Sequence, residues 1–154
     1  MIFEATRQDA AEVIALIGRV FVEHGWIWQP RTEVPDLFDF SAHYAGERGS
    51  FWVARADGRV VASVGVERLD ADTAELHRLY VDPEWRRRGL GDALVQRAIE
   101  WCRACGLGRL VLWSDTRFEN SHRLYTRLGF SRHGERTVEG DINASREYRF
   151  EREV

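Results

Sequence analysis

The stretch from Thr73 to Gln96 constrains the fold more than any other part of the chain. Its first part, Ala74 to Val81, is rich in Leu, Tyr and Val and stops at Asp82-Pro83, which predicts a strand. Its last part, from Gly89 onward, carries apolar residues at helical spacing, which predicts a helix. A short loop therefore joins a strand directly to a helix.

That loop has a composition suited to anions. It reads Arg86-Arg87-Arg88-Gly89-Leu90-Gly91, so three cations and two glycines lie where the helix begins. A helix N-terminus offers unpaired N–H groups and a partial positive charge, and glycine lets an anion come close to the backbone. We expect a phosphate-bearing ligand at Arg86–Asp92. An ordinary joint with a solvated arginine run stays open as the alternative at this point.

The remaining segments predict an α/β (α+β) fold. The elements add up to a mixed, mostly antiparallel sheet of about seven strands flanked by about four helices. Asp57-Gly58 indicates a hairpin, and Thr116-x-x-Glu119 has the form of a capping box. The predicted strands are Ile2–Thr6, Phe51–Arg55, Arg59–Leu69, Ala74–Val81, Leu110–Trp113, a strand from Phe130 and Ser145–Arg152. The predicted helices run from a cap at Asp9 to His24-Gly25, from Pro35 to Tyr44, from Gly89, and from Thr116 to Gly129.

The composition limits the classes of protein to which the chain can belong. With 154 residues, 44% of them hydrophobic and 12% aromatic, residues 1–154 are expected to form a single globular domain. No signal peptide is visible and no apolar run is long enough to cross a bilayer, so we expect a soluble, cytoplasmic protein without membrane contact. The net charge of -3 and the absence of a broad basic face argue against nucleic-acid binding.

Two further observations exclude types of chemistry. All 22 basic residues are arginine, which excludes a lysine nucleophile, a Schiff base and a P-loop lysine. The two cysteines form Cys102-x-x-Cys105 near the end of a predicted helix, and no second pair completes a metal site. We expect no metal.

Two motifs together resemble a known family. R-x-x-G-x-G is neither the G-x-G-x-x-G of dinucleotide-binding folds nor a P-loop. It is followed downstream by Leu124-Tyr125-x-x-Leu128-Gly129-Phe130. This pair resembles the GCN5-related N-acetyltransferase (GNAT) family, whose motif A corresponds to Leu76–Ala98 and whose motif B corresponds to Leu110–Phe130. The resemblance covers most of the chain and implies the acyl-CoA N-acyltransferase fold.

The resemblance also implies a cofactor, acetyl-CoA (coenzyme A), and residues that would hold it. In this family the diphosphate lies on the R-x-x-G-x-G amides and the pantetheine arm pairs with the end of the preceding strand. The N–H of Leu79 is implied to polarise the thioester carbonyl. The implied cofactor-binding residues are Leu79, Tyr80, Val81, Arg86, Arg87, Arg88, Gly89, Leu90, Gly91 and Asp92. The family's asparagine contact falls on Phe118 here, and Asn120 is the nearby candidate to replace it.

The catalytic residues are expected from the same resemblance. Tyr125 matches the tyrosine that protonates the departing thiolate, with a core-packed tyrosine as the alternative. Glu75 matches a strand glutamate that acts as base in some members, with a salt bridge to an arginine as the alternative. His77 and Glu67 are weaker candidates. Strand alternation predicts that Glu75, His77, Leu79 and Val81 share one face.

The sequence says least about the residues that would bind the acceptor amine. The resemblance implies that His24–Pro35 and Arg136–Asn143 hold the acceptor, with Trp26, Trp28 and His77 as substrate-binding residues. The two tryptophans either stack on the acceptor or seal the end of the core. A set of acidic residues in these segments is suited to a cationic amine, namely Glu33, Asp36, Asp39, Glu139 and Asp141.

The sequence therefore predicts an N-acetyltransferase. It would transfer an acetyl group to a primary amine of a small molecule or peptide by direct attack in a ternary complex, since no cysteine or serine constellation suggests a covalent intermediate. The alternatives are a non-catalytic acyl-CoA-binding sensor module and a transferase for a longer acyl group. A homodimer stays open as the oligomeric state.

Overall fold

The predicted sheet is confirmed in a computed structural model that describes residues 1–154. Seven strands form one sheet in the order β1-β2-β3-β4-β5-β7-β6. All neighbouring strands are antiparallel except β4 and β5, which are parallel. The strands are β1 (Ile2–Glu4), β2 (Gly49–Ala56), β3 (Arg59–Arg68), β4 (Thr73–Val81), β5 (Arg109–Asp115), β6 (Ser131–Thr137) and β7 (Arg146–Glu153).

Five α-helices accompany the sheet, and two of them are single turns. They are α1 (Ala10–Glu23), α2 (Pro30–Glu33), α3 (Phe40–His43), α4 (Leu90–Ala104) and α5 (Glu119–Arg127). Short 3₁₀ turns occur at Arg7–Asp9, Pro35–Phe38 and Pro83–Trp85. None of the helices combines the length and the apolar character that crossing a membrane requires.

The predicted second helix, from Pro35 to Tyr44, is wrong. Residues 30–43 instead form three separate turns, Pro30–Glu33, Pro35–Phe38 and Phe40–His43, because non-helical backbone angles at Val34 (φ -132°, ψ 57°) and Asp39 (φ -136°, ψ 48°) separate them. Broken turns suit this segment, since its side chains point in several directions. Asp36 and Leu37 are both buried within the middle turn.

The predicted cap at Asp9 is replaced by a reciprocal arrangement one turn earlier. Thr6 is the capping residue, and its hydroxyl accepts a hydrogen bond from the N–H of Gln8. Asp9 accepts one from the N–H of Thr6 at 2.8 Å and forms an ion pair with Arg55 at 2.6 Å.

The predicted capping box at Thr116-x-x-Glu119 is also wrong. Helix α5 begins at Glu119 after Phe118, without a side-chain cap. Asp115 takes the backbone N–H of Arg117 instead, at 2.9 Å, and pairs with the Arg117 guanidinium at 2.7 Å. The carboxylate one residue upstream therefore organises this turn.

Two apolar clusters cover the two faces of the sheet. Alternate residues of β2 divide between them: Trp52 and Ala54 face the cluster of α4, whereas Phe51 and Val53 face the cluster of α1. Leu94, Val95, Ala98, Ile99 and Cys102 of α4 are fully buried, which accounts for the apolar stripe in the sequence. Helices α1 and α4 therefore lie on opposite faces of β4.

Candidate active site

The parallel pair β4–β5 opens into a cleft. The two strands pair only over three residues, Thr73–Glu75 with Arg109–Val111, although both strands continue beyond that point. A cavity of about 490 Å³ lies where they separate. Its lining includes Glu75 to Tyr80 of β4, Trp113 to Asp115 of β5 and Tyr125 of α5.

A β-bulge in β4 shapes this cleft. Tyr80 pairs with Ser63 and His77 pairs with Gly65, so Arg78 and Leu79 together lie opposite the single residue Val64. Arg78 has a positive φ of 55°, which is rare for a residue with a side chain.

The bulge corrects the predicted alternation along β4. Glu75 and His77 precede it and share a face as expected. Beyond it the faces exchange: Leu79 and Val81 pack against the α4 cluster together with Leu76, whereas Tyr80 packs against the α1 cluster. The extra residue shifts every later side chain to the opposite side.

The half-buried Arg78 of the bulge forms an ion pair with the buried Asp36. The Asp36 carboxylate accepts hydrogen bonds from the Arg78 guanidinium, the shortest at 2.5 Å, and from the Tyr44 hydroxyl at 2.5 Å. Burial pulls the pKa of Asp36 upward, but the contacts with Arg78 outweigh burial and lower it. Asp36 is one of the acidic residues expected to attract the acceptor, and its carboxylate is occupied by Arg78 and Tyr44.

Glu75 and His77 form a second close pair. His77 Nε2 lies 2.5 Å from a Glu75 oxygen. Burial raises the pKa of Glu75, but the hydrogen bond and charge of His77, together with Arg136 and Arg78, outweigh it and the pKa falls below its ordinary value. The salt-bridge alternative named an arginine, and the direct partner is a histidine.

His77 lies between Tyr44 and Glu75. The Tyr44 hydroxyl donates its one proton to Asp36, and His77 Nδ1 lies 3.2 Å from the Tyr44 oxygen. A carboxylate only accepts, so the contact between His77 Nε2 and Glu75 is a hydrogen bond that Nε2 donates.

Tyr125 is positioned by two aromatic rings. It is 4% exposed and packs against Phe130 and Phe150, with ring centroids 5.7 and 5.4 Å away. Its hydroxyl has no hydrogen-bond partner in the protein, and the residue lines the cavity. Burial, with a smaller contribution from Tyr80, raises the pKa of Tyr125 above its ordinary value, so the hydroxyl keeps its proton.

The two tryptophans occupy different places. Trp26 lines the cavity, between His24 at 4.4 Å and the Arg117 guanidinium at 4.1 Å from its ring. Trp28 packs against α1, where a Cβ at Gly18 would come within 2.8 Å of its Nε1. Trp28 is absent from the cavity lining, so its surroundings favour the core-sealing alternative.

The arginine loop follows β4 and leads into α4. Gly89, the residue before the helix, has a φ of 78°, and a Cβ there would meet no atom within 4 Å. Gly91 differs, because a Cβ there would lie 3.1 Å from Leu124 of α5. Gly89 therefore borders open space at the helix N-terminus, whereas Gly91 also allows α4 and α5 to pack closely.

The three arginines of this loop are not equivalent. Arg86 forms a bidentate ion pair with Glu23 of α1 at 2.7 and 2.8 Å. Arg88 lies over the ring of Trp85 at 4.3 Å, and neither Arg87 nor Arg88 has a carboxylate partner. Arg87 and Arg88 are therefore available to an anion, whereas Arg86 fixes the loop to α1.

The side chains of two other predicted cofactor residues have partners within the protein. Asp92, in the first turn of α4, forms an ion pair with Arg127 at 2.7 Å. Asn120 is exposed and accepts a hydrogen bond from Arg123, outside the cavity lining. The cavity is instead lined by Phe118 and Ser121, which flank Asn120 in sequence.

The two predicted acceptor segments meet at the cavity. The Asn143 side chain binds the Ile27 backbone twice, accepting from its N–H and donating to its carbonyl, both at 2.9 Å. This contact joins the segment after α1 to the β6–β7 hairpin. Asn143 is the last residue of the expected acceptor segment Arg136–Asn143, but its place in a turn gives no signal of a partner 116 residues away.

Glu33 and Asp141 come together beside that contact. Burial raises the pKa of Glu33 to about 7, and the neighbouring Asp141 carboxylate adds to the rise. Burial also pulls the pKa of Asp141 upward, but hydrogen bonds from Ser145 outweigh it and lower that pKa. Both residues line the cavity, and only their acidic character marked them in the sequence.

Known proteins share both sequence and fold with this chain. Residues 17–130 match the model of the Acetyltransferase (GNAT) family. The chain is 39% identical over 102 residues to N-acetylaspartate synthetase of Danio rerio and 35% identical over 106 residues to human N-acetyltransferase 8. These matches cover 65% of this chain but only 36% and 47% of the relatives, so the chain spans about a third to a half of their length.

Solved structures share the whole fold. An acetyltransferase from Streptococcus agalactiae is 27% identical, with a TM-score of 0.80 over 97% of this chain and 96% of its own. A putative acetyltransferase from Salmonella typhimurium, solved with acetyl-CoA, has a TM-score of 0.78 at 22% identity over 99% of this chain and 92% of its own. Together with the family match, these findings show that the chain belongs to the GNAT family of acetyltransferases.

Proposed function

We propose that this protein transfers an acetyl group from acetyl-CoA to the primary amine of a small molecule or peptide, by direct attack within a ternary complex. The observation that carries the proposal is one cavity that brings together Tyr125, the Glu75–His77 pair and the bulged end of β4. These groups supply a proton donor, a proton acceptor and an open strand edge. The acceptor segments close the other side of the same cavity.

The residues present fit coenzyme A. The end of β4, Leu79 to Val81, no longer pairs with β5, which leaves room for a pantetheine arm to run beside it. The loop at Gly89 is open, and the α4 N-terminus and the unpaired Arg87 and Arg88 suit a diphosphate. Acetyl-CoA would supply an activated thioester carbonyl as the acetyl donor.

Residues of the chain would then stabilise the developing charge and carry out the proton transfers. The N–H of Leu79 would donate to the carbonyl oxygen, where negative charge develops during attack. Tyr125 would protonate the departing thiolate and regain a proton from the amine nitrogen. The amine enters as an ammonium ion, so the Glu75–His77 pair would take the first of its two protons.

Replacing Glu75 with glutamine tests the base. We expect kcat to fall about 10²- to 10⁴-fold, the usual contribution of a positioned base, since glutamine cannot accept a proton. Glu100→Gln is the control, because Glu100 is exposed on α4, forms no ion pair and lies outside the cavity lining. Steady-state rates of coenzyme A release would measure both, and equal losses would remove Glu75 from this role.

Replacing Gly89 with valine tests the phosphate-binding loop. A β-branched residue at a positive φ is strained and fills the open space, so we expect acetyl-CoA to bind about tenfold more weakly or worse. Gly106→Val is the matched control. Gly106 has a similar φ of 73°, a Cβ there would meet no atom within 4 Å, and the residue lies at the other end of α4. Calorimetric titration with acetyl-CoA decides, and a similar affinity loss in both variants would contradict the proposal.

A screen of amines tests the function itself. Coenzyme A release would be followed with amino acids, polyamines, aminoglycosides and peptide N-termini, each with acetyl-CoA and with longer acyl-CoA donors. Amine-dependent release from acetyl-CoA is the expected result. Binding of acetyl-CoA without release for any amine would indicate a sensor, and preference for a longer donor would indicate a different acyl group.

The acceptor need not be that of the named relatives. One relative is called N-acetylaspartate synthetase, which suggests an anionic amino acid as acceptor for that protein. The cavity here is lined by six carboxylates and two arginines, and both arginines are already engaged, Arg78 with Asp36 and Arg136 with Glu147. This excess of negative charge favours a cationic amine that carries no carboxylate.

A further inference from the structure

Tyr44 lies directly behind the Glu75–His77 pair. It follows the single-turn helix α3, and its ring packs against Phe40 and Phe51, with ring centroids 5.2 and 4.9 Å away. The residue is 5% exposed and does not line the cavity. Its hydroxyl nevertheless contacts His77, which does line the cavity. Tyr44 is therefore placed to act on this pair from within the protein.

A glycine of β3 makes room for Tyr44 at this place. Gly65 is paired with His77 across β3 and β4. A Cβ at Gly65 would lie 2.9 Å from Cε1 of Tyr44 and 2.7 Å from Cδ2 of Phe51, which is too close for either ring to stay in place. A glycine within a strand often marks such a close approach. The missing side chain thus lets the Tyr44 ring lie over the strand beside His77.

The His77 ring is held at both nitrogens. Nε2 lies 2.5 Å from a Glu75 oxygen, and Nδ1 lies 3.2 Å from the Tyr44 oxygen. Glu67 also lies near Nδ1, but the distance of 3.8 Å is too long for a hydrogen bond. A ring turned over would place carbon atoms against both oxygens. The two contacts together therefore select one orientation of the ring.

The Tyr44 hydroxyl is itself fixed from the other side. Burial, with the neighbouring Asp36 charge, raises the pKa of Tyr44, so the hydroxyl keeps its proton. It donates that proton to Asp36 at 2.5 Å, and Asp36 is paired with Arg78. The Tyr44 oxygen therefore has one defined position beside His77.

We propose that Tyr44 is a positioning residue for the base of the reaction. It fixes the orientation of the His77 ring, and Nε2 of that ring holds the Glu75 carboxylate at the cavity. This inference rests on the function proposed above. Because Tyr44 does not line the cavity, it acts only through His77.

Nitrogen NMR of the histidine rings tests the orientation without a substrate. The chain has five histidines, and the His77 signals are those that disappear in His77→Ala. Tyr44→Phe keeps the packed ring and removes only the hydroxyl, so we expect the Nδ1 signal of His77 to shift. Tyr148→Phe is the control, because Tyr148 lies on β7 outside the cavity lining, and it should leave the His77 signals unchanged. An unchanged Nδ1 signal in Tyr44→Phe would overturn the proposal.

A double-mutant cycle tests the consequence for turnover. We expect Tyr44→Phe to lower kcat about 10- to 100-fold, as expected for a misplaced catalytic group, and to leave acetyl-CoA affinity unchanged. In the His77→Ala background the same substitution should cause no further fall, because there is no ring to orient. Coenzyme A release from acetyl-CoA, with the most active amine of the screen described above, would measure all four rates. Equal falls in the two backgrounds would indicate a merely structural role and would overturn the proposal.

The two measurements separate this inference from the proposed function. A shifted Nδ1 signal without coenzyme A release for any amine would support the orientation of His77 by Tyr44 and contradict the transferase function. Turnover that Tyr44→Phe leaves unchanged would overturn the positioning role, and the transferase function would stand.

Discussion

Replacing Tyr125 with phenylalanine is expected to lower kcat about 10²- to 10⁴-fold and to leave acetyl-CoA affinity nearly unchanged. Tyr125 packs by its ring against Phe130 and Phe150, and its hydroxyl makes no hydrogen bond within the protein. Phenylalanine therefore fits the same space, and the variant removes the proton donor alone. Single-turnover rates of acetyl transfer and calorimetric binding of acetyl-CoA would measure the two quantities.

The raised pKa of Tyr125 is the reason to expect that the variant loses a proton donor. A tyrosine that stays protonated at neutral pH can donate its proton to a developing thiolate. Tyr148→Phe is the control, because Tyr148 lies on β7 outside the cavity lining. If Tyr125→Phe turns over as fast as the unaltered protein, the proton-donor role is wrong.

Replacing Asp36 with alanine is expected to lower the free energy of unfolding by about 3–5 kcal/mol. Asp36 is 8% exposed and takes hydrogen bonds from both Arg78 and Tyr44, so its loss leaves a half-buried guanidinium and a buried hydroxyl without this acceptor. That is a large share of the roughly 5–15 kcal/mol that stabilises a typical domain. Urea unfolding at pH 7 would measure it.

The same variant should also reduce turnover, because Arg78 holds the bulge that sets the direction of Leu79. Asp39→Ala is the matched control: Asp39 is exposed, three residues away and without an ion pair, and should change stability by less than about 0.5 kcal/mol. Since the Asp36 pKa is lowered, the contribution should be present above its ordinary value and disappear as the pH falls through the lowered one. A loss in Asp36→Ala below about 1 kcal/mol would contradict this role.

Local patterns predicted most of the fold. The sheet, the hairpin at Asp57-Gly58, the strand–loop–helix joint and the order of the elements are all present, because hydrophobic period and turn chemistry are local properties. The errors fall where a distant or unforeseen partner decides. Asp9 binds Arg55, Asp115 rather than Thr116 organises the turn before α5, and the Pro35–Tyr44 segment breaks into turns around the buried Asp36.

The candidate site was likewise predicted only in part from the sequence. The two motifs and the family resemblance predicted the loop from Arg86 to Gly91, Tyr125 and Glu75 as site residues. They could not predict that Arg86 forms an ion pair with Glu23, or that Trp28 packs on Gly18, because those contacts depend on the tertiary structure. Glu33 and Asp141, likewise, are two ordinary acidic residues until the fold places them side by side.

The strand–arginine–glycine–helix stretch from Thr73 to Gln96 was determined by the sequence itself, because strand, turn and helix signals depend on near neighbours. What only the tertiary structure decided is how that strand is used. Arg78 has a positive φ, and the bulge that it forms turns Leu79 and Tyr80 to the faces opposite those that simple alternation assigns. The guanidinium of this residue is bound by Asp36, 42 positions away, and no local pattern contains that partner.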